Sequence, residues 1–258
     1  MNEFAKQVWS FAKTLGIAAF IAFFCIRGFI FEPFKIPSSS MMPTLLVGDY
    51  LIVTKFAYGN RLPLTNFFFW ETQPKRGDII VFKRDGSGLP GSFFGLGKTL
   101  FIKRLVGVPG DKIAYRDQTL FINDRVVTNE DKGKYDLRLP DGNHIQADLK
   151  TENLLGVHHA ILRDPSQPGP EVAESIVPEG MYVMMGDNRD NSRDSRYWEW
   201  PSWGFVPKAD LMGRAEFVFW SWDENWKPRL ERIGNGLRAQ ISMRGGETLN
   251  DARGGMAA

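Results

Sequence analysis

The sequence predicts a mainly β chain: a single N-terminal transmembrane helix, then a barrel-type β domain that carries a polar insertion. Three observations predict it. The first is an apolar run from Val8 to Phe31 whose only charged residues are Lys13 and Arg27. The second is a series of short alternating apolar runs downstream, separated by Gly, Pro, Asn and Asp, the pattern of strands joined by tight turns. The third is composition: 26 Gly and 15 Pro in 258 residues, about 16% against a usual ~12%, favour turns over a helical bundle. With 43% of residues apolar and 24% charged, the chain can bury a sizeable core and is not of the disordered class.

The N-terminal run sets the topology. At 1.5 Å per residue its two dozen residues span about 36 Å, enough for a hydrocarbon core of ~30 Å. The uncharged stretch from Thr14 to Ile26 is shorter, so Lys13 and Arg27 must snorkel to the interfaces. A cleaved signal peptide competes with this reading, but Arg27-Gly28-Phe29-Ile30-Phe31-Glu32-Pro33 offers no small-residue cleavage pattern. A buried core helix also competes, though the run is apolar around its whole circumference. Lys6, Lys13 and the terminal amine outweigh Glu3, which places the N-terminus in the cytoplasm. Residues 1–7 are thus a cytoplasmic tip, 8–31 the transmembrane helix, and 32–240 an extracytoplasmic domain in contact with membrane lipid.

Within that domain Tyr50–Val53, Asp78–Phe82, Leu100–Val106, Thr119–Ile122, Tyr182–Met185 and Glu216–Trp220 read as strands. Turn signals separate them at Gly48-Asp49, Gly77-Asp78, Pro109-Gly110-Asp111, Asn123-Asp124 and Pro178-Glu179-Gly180. No helical pattern of useful length competes, so an all-β barrel-type domain follows. Residues 128–177 are polar and read as a strand-poor insertion or subdomain. The Gly- and Arg-rich segment 241–258 reads as a flexible tail.

Charge and composition exclude several function classes. The balance of 32 Lys+Arg against 30 Asp+Glu, a net +2, gives no basic field for nucleic acid. Cys25 is the only cysteine, so there is no disulfide framework, and its apolar surroundings predict an inert thiol. His144, His158 and His159 have no ligands at metal spacing beside them. No metal and no cofactor are expected, and a hydrolase on this chain would work without a histidine base.

Three regions could carry chemistry. Pro37 and Pro43 bracket Ser38-Ser39-Ser40-Met41-Met42, which makes a stiff, non-helical serine cluster; taken alone, such a cluster is a loop. In Phe101-Ile102-Lys103-Arg104-Leu105-Val106 the strand alternation puts a cation among apolar residues on either face. That cation either snorkels to the surface or, desolvated, has a lowered pKa and becomes a usable base. The third is the donor- and acceptor-dense run Gly186 to Arg196 after a predicted strand, otherwise a salt-bridged surface loop. Together they offer a hydroxyl nucleophile, an amine base and a loop to orient them, so a Ser-Lys dyad is the economical reading.

Four boxes in the family's order resemble those of bacterial type I signal (leader) peptidases. Ile36-Pro37-Ser38-Ser39-Ser40-Met41-Met42-Pro43-Thr44-Leu45 with Gly48-Asp49 is similar to the serine box. Arg76-Gly77-Asp78-Ile79-Ile80-Val81-Phe82 and Ile102-Lys103-Arg104-Leu105-Val106-Gly107-Val108-Pro109-Gly110-Asp111 are similar to the lysine boxes, and Gly186 to Arg196 to the last box. The resemblance runs from about residue 27 to 235, just beyond the predicted span. It implies Ser40 as nucleophile and Lys103 as general base, with the Ser38 hydroxyl and the Ser40 N–H as oxyanion hole. It further implies that Ser192 hydrogen-bonds and orients the Lys103 amine, that Gly186 belongs to the same orienting loop, and that Asp194 and Arg196 pair to hold it. Met41 would shape the site and touch the membrane side.

The implied substrates are exported preproteins with small residues at the first and third positions before the cut. The implied location is the bacterial cytoplasmic (inner) membrane, with the catalytic domain on the periplasmic side. Glu199–Trp203 and Asp85–Gly97 depart from the family pattern, and one span is present where some members have two. The tryptophans at 198, 200, 203, 220, 222 and 226, and Phe67–Trp70, are candidates both for core and for lipid headgroup contact. Alternatives are a membrane-tethered, non-enzymatic binding or assembly protein, a self-cleaving Ser-Lys repressor, and a lipid or small-ester hydrolase. The repressor needs a DNA-binding helix-turn-helix where this chain has an apolar run.

Overall fold

The computed structural model describes residues 7–18, 31–58, 60–61, 68–69, 72–85, 98–138, 144–237 and 240–241. Residues 7–18 form an α-helix. Residues 19–30 of the predicted span at 8–31 lie outside the described residues, Cys25 and Arg27 among them, as do residues 86–97 and the tail beyond 241. Among the described residues no helix is long and apolar enough to cross a membrane.

After residue 31 the described chain is mainly β, with 3-10 turns as its only helical elements. The first nine strands are β1 (Phe31–Lys35), β2 (Asp49–Thr54), β3 (Asn60–Arg61), β4 (Phe68–Phe69), β5 (Ile79–Asp85), β6 (Lys98–Gly107), β7 (Lys112–Arg116), β8 (Thr119–Ile122) and β9 (Arg125–Val126). The rest are β10 (Thr128–Arg138), β11 (His144–Leu154), β12 (Val157–Arg163), β13 (Val172–Ile176), β14 (Met181–Met185), β15 (Val206–Pro207), β16 (Leu211–Ser221) and β17 (Gln240–Ile241). All six strands read from the sequence are among them.

A seven-stranded sheet runs in the order β1-β2-β16-β5-β6-β14-β15. Its end strands β1 and β15 do not pair with each other, so the expected barrel does not close among the described residues. Two apolar clusters share the residues of β5. Ile79 and Val81 pack with Ile36, Met41, Leu45, Leu51 and Val53, whereas Ile80 and Phe82 pack with Leu105, Tyr182 and Met184. Successive side chains alternate faces, so this strand is buried on both sides, which explains its unbroken apolar run. Lys103, on β6 opposite Ile80, lies between β5 and β14 and is only 4% exposed. Snorkelling is closed to it.

The 128–177 region is not strand-poor. It contains β10, β11 and β12, which form a sheet in the order β10-β11-β12-β17, together with β13, which joins β7-β8-β9. The reason for the misreading is exposure: from Thr128 to Lys134 every residue of β10 is exposed, so both faces are polar and no alternation marks the strand. Beyond that exposed edge the sheet turns inward, with Glu152 on β11 fully buried and His159 on β12 nearly so.

Candidate active site

The serine cluster follows directly from β1. Ile36 N–H donates to the Asp49 carbonyl at 2.8 Å and Gly48 N–H to the Ile36 carbonyl at 3.0 Å, tying both ends of the 36–48 loop to the start of β2. Met41 and Leu45, both fully buried, anchor the loop in the core. Met41 therefore does not touch a membrane surface as expected: its apolar side chain gains more from burial among Ile36, Leu45 and Val53. The buried Asp49 carboxylate accepts from Leu46 N–H at 2.8 Å and pairs with Arg232 at 2.5 Å.

This loop brings Ser40 to the end of the Lys103 side chain. Lys103 Nζ donates to Ser40 Oγ at 2.5 Å, and Ser38 Oγ lies 3.4 Å from the same oxygen. Burial pushes the Lys103 amine down to about 8, with Asp194 and Asp187 partly opposing the shift and Arg196 adding to it. Desolvation wins because the charged amine loses its hydration and gains no carboxylate as a direct partner.

The 186–196 loop closes over this pair. Asp194 and Arg196, both fully buried, form an ion pair at 2.9 Å. The same carboxylate accepts from Gly186 N–H at 2.9 Å, which fastens the loop's beginning to its end. Arg196 Nη1 also donates to the Tyr115 hydroxyl at 3.2 Å. A Cβ on Gly186 would sit 2.2 Å from Ser192 Oγ and 2.5 Å from the Ser40 carbonyl oxygen, so only glycine fits. The implied Ser192–Lys103 hydrogen bond is absent: Ser192 is 5% exposed and its hydroxyl has no hydrogen-bond partner among the described residues. Its side chain packs onto Gly186 instead.

Sequence reasoning missed the side chains that hold the serines. Asn188 donates from its backbone N–H to the Ser40 carbonyl and from Nδ2 to the Ser39 carbonyl, each at 3.1 Å. Asn191 Nδ2 donates to Ser39 Oγ at 2.9 Å. Both were visible only as part of a donor-rich loop. Arg104, the second cation of the Lys103 strand, binds Asp187 in a two-pronged pair through Nε at 2.8 Å and Nη2 at 2.6 Å; Thr44 donates to the same carboxylate at 2.5 Å. Glu152 pairs with Arg189, and His159 Nε2 lies 3.3 Å from Glu152 Oε2 without the alignment of a hydrogen bond. Burial and the nearby Arg104 push the His159 pKa below its usual value, with Glu152 and Asp187 opposing the shift. Nothing in an isolated polar insertion marked Glu152 or His159.

A groove of about 730 Å³ adjoins the serine loop, lined by Ile36, Pro37, Ser39, Met42, Trp222 and Trp226 among others. Ser40 and Lys103 are not part of its lining. Among the described residues no group of three or more His, Cys, Asp or Glu is placed to hold a metal ion.

The sequence matches the family described as "Signal peptidase, peptidase S26" over residues 8–220. A signal peptidase I from Buchnera aphidicola subsp. Acyrthosiphon pisum is 37% identical over 280 residues, covering 90% of this chain and 84% of its own. One from Pseudomonas fluorescens is 40% identical over 225 residues, covering 84% and 73%. One from Pseudomonas aeruginosa is 36% identical over 224 residues, again 84% and 73%. A solved signal peptidase I from Enterococcus faecalis V583 is 28% identical, covering 55% of this chain and 97% of its own at a TM-score of 0.30.

Proposed function

Since the chain belongs to the signal peptidase family, peptidase S26, we propose a membrane-anchored serine endopeptidase that removes signal peptides through a Ser40–Lys103 dyad. The observation that carries the dyad is the 2.5 Å bond between the Lys103 amine and the Ser40 hydroxyl, both side chains buried. Neutral Lys103 takes the Ser40 proton along that bond, and the alkoxide attacks the scissile carbonyl. The developing oxyanion is met by the Ser40 N–H and the Ser38 hydroxyl, which lies beside the reacting oxygen. Lys103 then protonates the leaving amine, and a water that the same lysine deprotonates cleaves the ester.

The test is cleavage of an exported precursor by the detergent-purified chain, with the new N-terminus of the product sequenced. Cleavage after a small residue supports the reading; an intact precursor with folded protein overturns it and favours the tethered binding protein.

The pH dependence follows from the lysine. A protonated amine cannot accept the Ser40 proton, so kcat/KM should fall as pH drops through about 8, tenfold for each further unit. A kcat/KM that stays level from pH 9 to pH 6 counts against Lys103 as the base.

The anchor is the 8–31 run, in a bacterial inner membrane with the N-terminus cytoplasmic and the 32–240 domain outside. A lipid-facing surface near the groove is supported by Trp226 at 72% exposed and Leu230 at 63%, since Trp favours the headgroup boundary and an exposed Leu gains from burial in the hydrocarbon below it. W226S/L230S should slow cleavage of a membrane-inserted precursor several-fold and leave a short soluble peptide unaffected. Equal slowing of both substrates would place these residues in substrate binding instead.

A further inference from the structure

The polar sheet of residues 128–177 contributes a group that reaches the catalytic loop. Glu152 on β11 is fully buried, and its two oxygens accept from Arg189 Nη1 and Nη2 at 2.5 Å each. Arg189, also fully buried, directs its third nitrogen, Nε, to the Gly186 carbonyl at 3.1 Å. The Arg189 carbonyl accepts in turn from Arg196 Nη2. From Gly186 the connection is short: a Cβ there would touch the Ser40 carbonyl oxygen, and two residues on, Asn188 N–H donates to that same oxygen. β12 adds a parallel tie, Leu162 N–H donating to the Asp187 carbonyl at 2.9 Å.

We propose that Glu152 is a positioning residue for the proteolytic reaction: by clamping Arg189 it fixes the Gly186 carbonyl, and through the 186–188 turn it fixes the backbone of Ser40. The inference rests on the Ser40–Lys103 reading above. The physical argument is that a buried ion pair gains little or nothing in stability over apolar packing, whereas a two-pronged carboxylate–guanidinium pair holds both partners at fixed distance and angle. Here the guanidinium Nε remains, and it is spent on the Gly186 carbonyl. With Glu152 gone, the guanidinium is left uncompensated and turns toward water, taking the Gly186 contact with it. The nucleophile then sits off line, which in a positioned reaction costs on the order of 10²-fold for displacements near 1 Å.

The experiment compares wild type, E152A, E152Q and the apolar double variant E152M/R189M, all as full chains in detergent, by thermal denaturation and by kcat and KM on an exported precursor. E152A should lose about 10²-fold in kcat with KM within about threefold. E152M/R189M should recover the melting temperature, because no buried charge is left unpaired, and keep the low kcat, because nothing holds the Gly186 carbonyl. E152Q, which preserves shape and one acceptor, should lie between E152A and wild type. If the double variant or E152A folds and cleaves with wild-type kcat, the proposal is overturned. If neither folds, E152Q decides: wild-type kcat with a lowered melting temperature means that Glu152 is structural only. Failure of wild type to cleave would sink the dyad reading itself, an outcome distinct from any of these.

Discussion

Replacing Lys103 by methionine should abolish cleavage while raising the melting temperature. The loss of activity is expected to be at least ~10⁴-fold in kcat, because the base that takes the Ser40 proton and the acid that protonates the leaving amine are one group. Ser40→Ala should lose as much, and the double variant no more, since the two act as a unit. The stability gain has a different origin. The Lys103 pKa is about 8 in the fold against an ordinary 10.5, so between those values the unfolded chain binds more protons and stability rises with pH. Below about 8 the amine is charged in both states and the full cost of burying it is present. That cost, the free-energy equivalent of the displacement, is about 3 kcal/mol. Methionine has a similar reach and no charge, so K103M should melt several degrees higher at pH 7, and the gap to wild type should close above pH 10. Ser40→Ala removes no charge and should show no such gain. An unchanged or lower melting temperature for folded K103M would mean that Lys103 is not buried as a costly cation.

Much of the core was readable in the sequence because its strands are buried on both faces. β5 and β14 present nearly unbroken apolar runs, Ile79–Phe82 and Met181–Met185, of which only Met181 is not fully buried, and such runs bounded by turns are strong signals. The approach of the serine box to Lys103 was readable only in part: a lysine in the middle of such a strand is out of place and the serine box lies between prolines, but the choice of Ser40 and Lys103 came from the family resemblance. What the sequence concealed is contact between distant segments. Glu152 is 37 residues from Arg189, and in sequence it is one carboxylate in an apparently strand-poor polar insertion. Ser192 shows the opposite error. The resemblance gave it a bond to the lysine, whereas the fold presses it against Gly186. Met41 was misjudged because a polar neighbourhood in sequence conceals a core position in space.

Gly186→Ala should be the most damaging substitution outside the dyad. Its new methyl would lie 2.2 Å from Ser192 Oγ, 2.5 Å from Ser192 Cβ and 2.5 Å from the Ser40 carbonyl oxygen. The serine side chain alone could not relieve this, because the third contact is backbone. Moving the Ser40 carbonyl stretches the Asn188 N–H bond, now 3.1 Å, and carries the nucleophile away from Lys103. A shift of a few tenths of an ångström up to 1 Å predicts a fall in kcat of about 10²- to 10³-fold, with an overpacking cost of about 1–3 kcal/mol in stability. Gly110→Ala separates the two effects. Gly110 has φ of +84° and nothing within 4 Å of its missing Cβ, so alanine there costs about 1–2 kcal/mol of backbone strain and should leave kcat alone. G186A/S192G removes the two side-chain clashes but not the backbone one, so it should regain part of the stability and little of the rate. Full recovery of kcat in that double variant would show that Ser192, and not the Ser40 backbone, is what Gly186 makes room for.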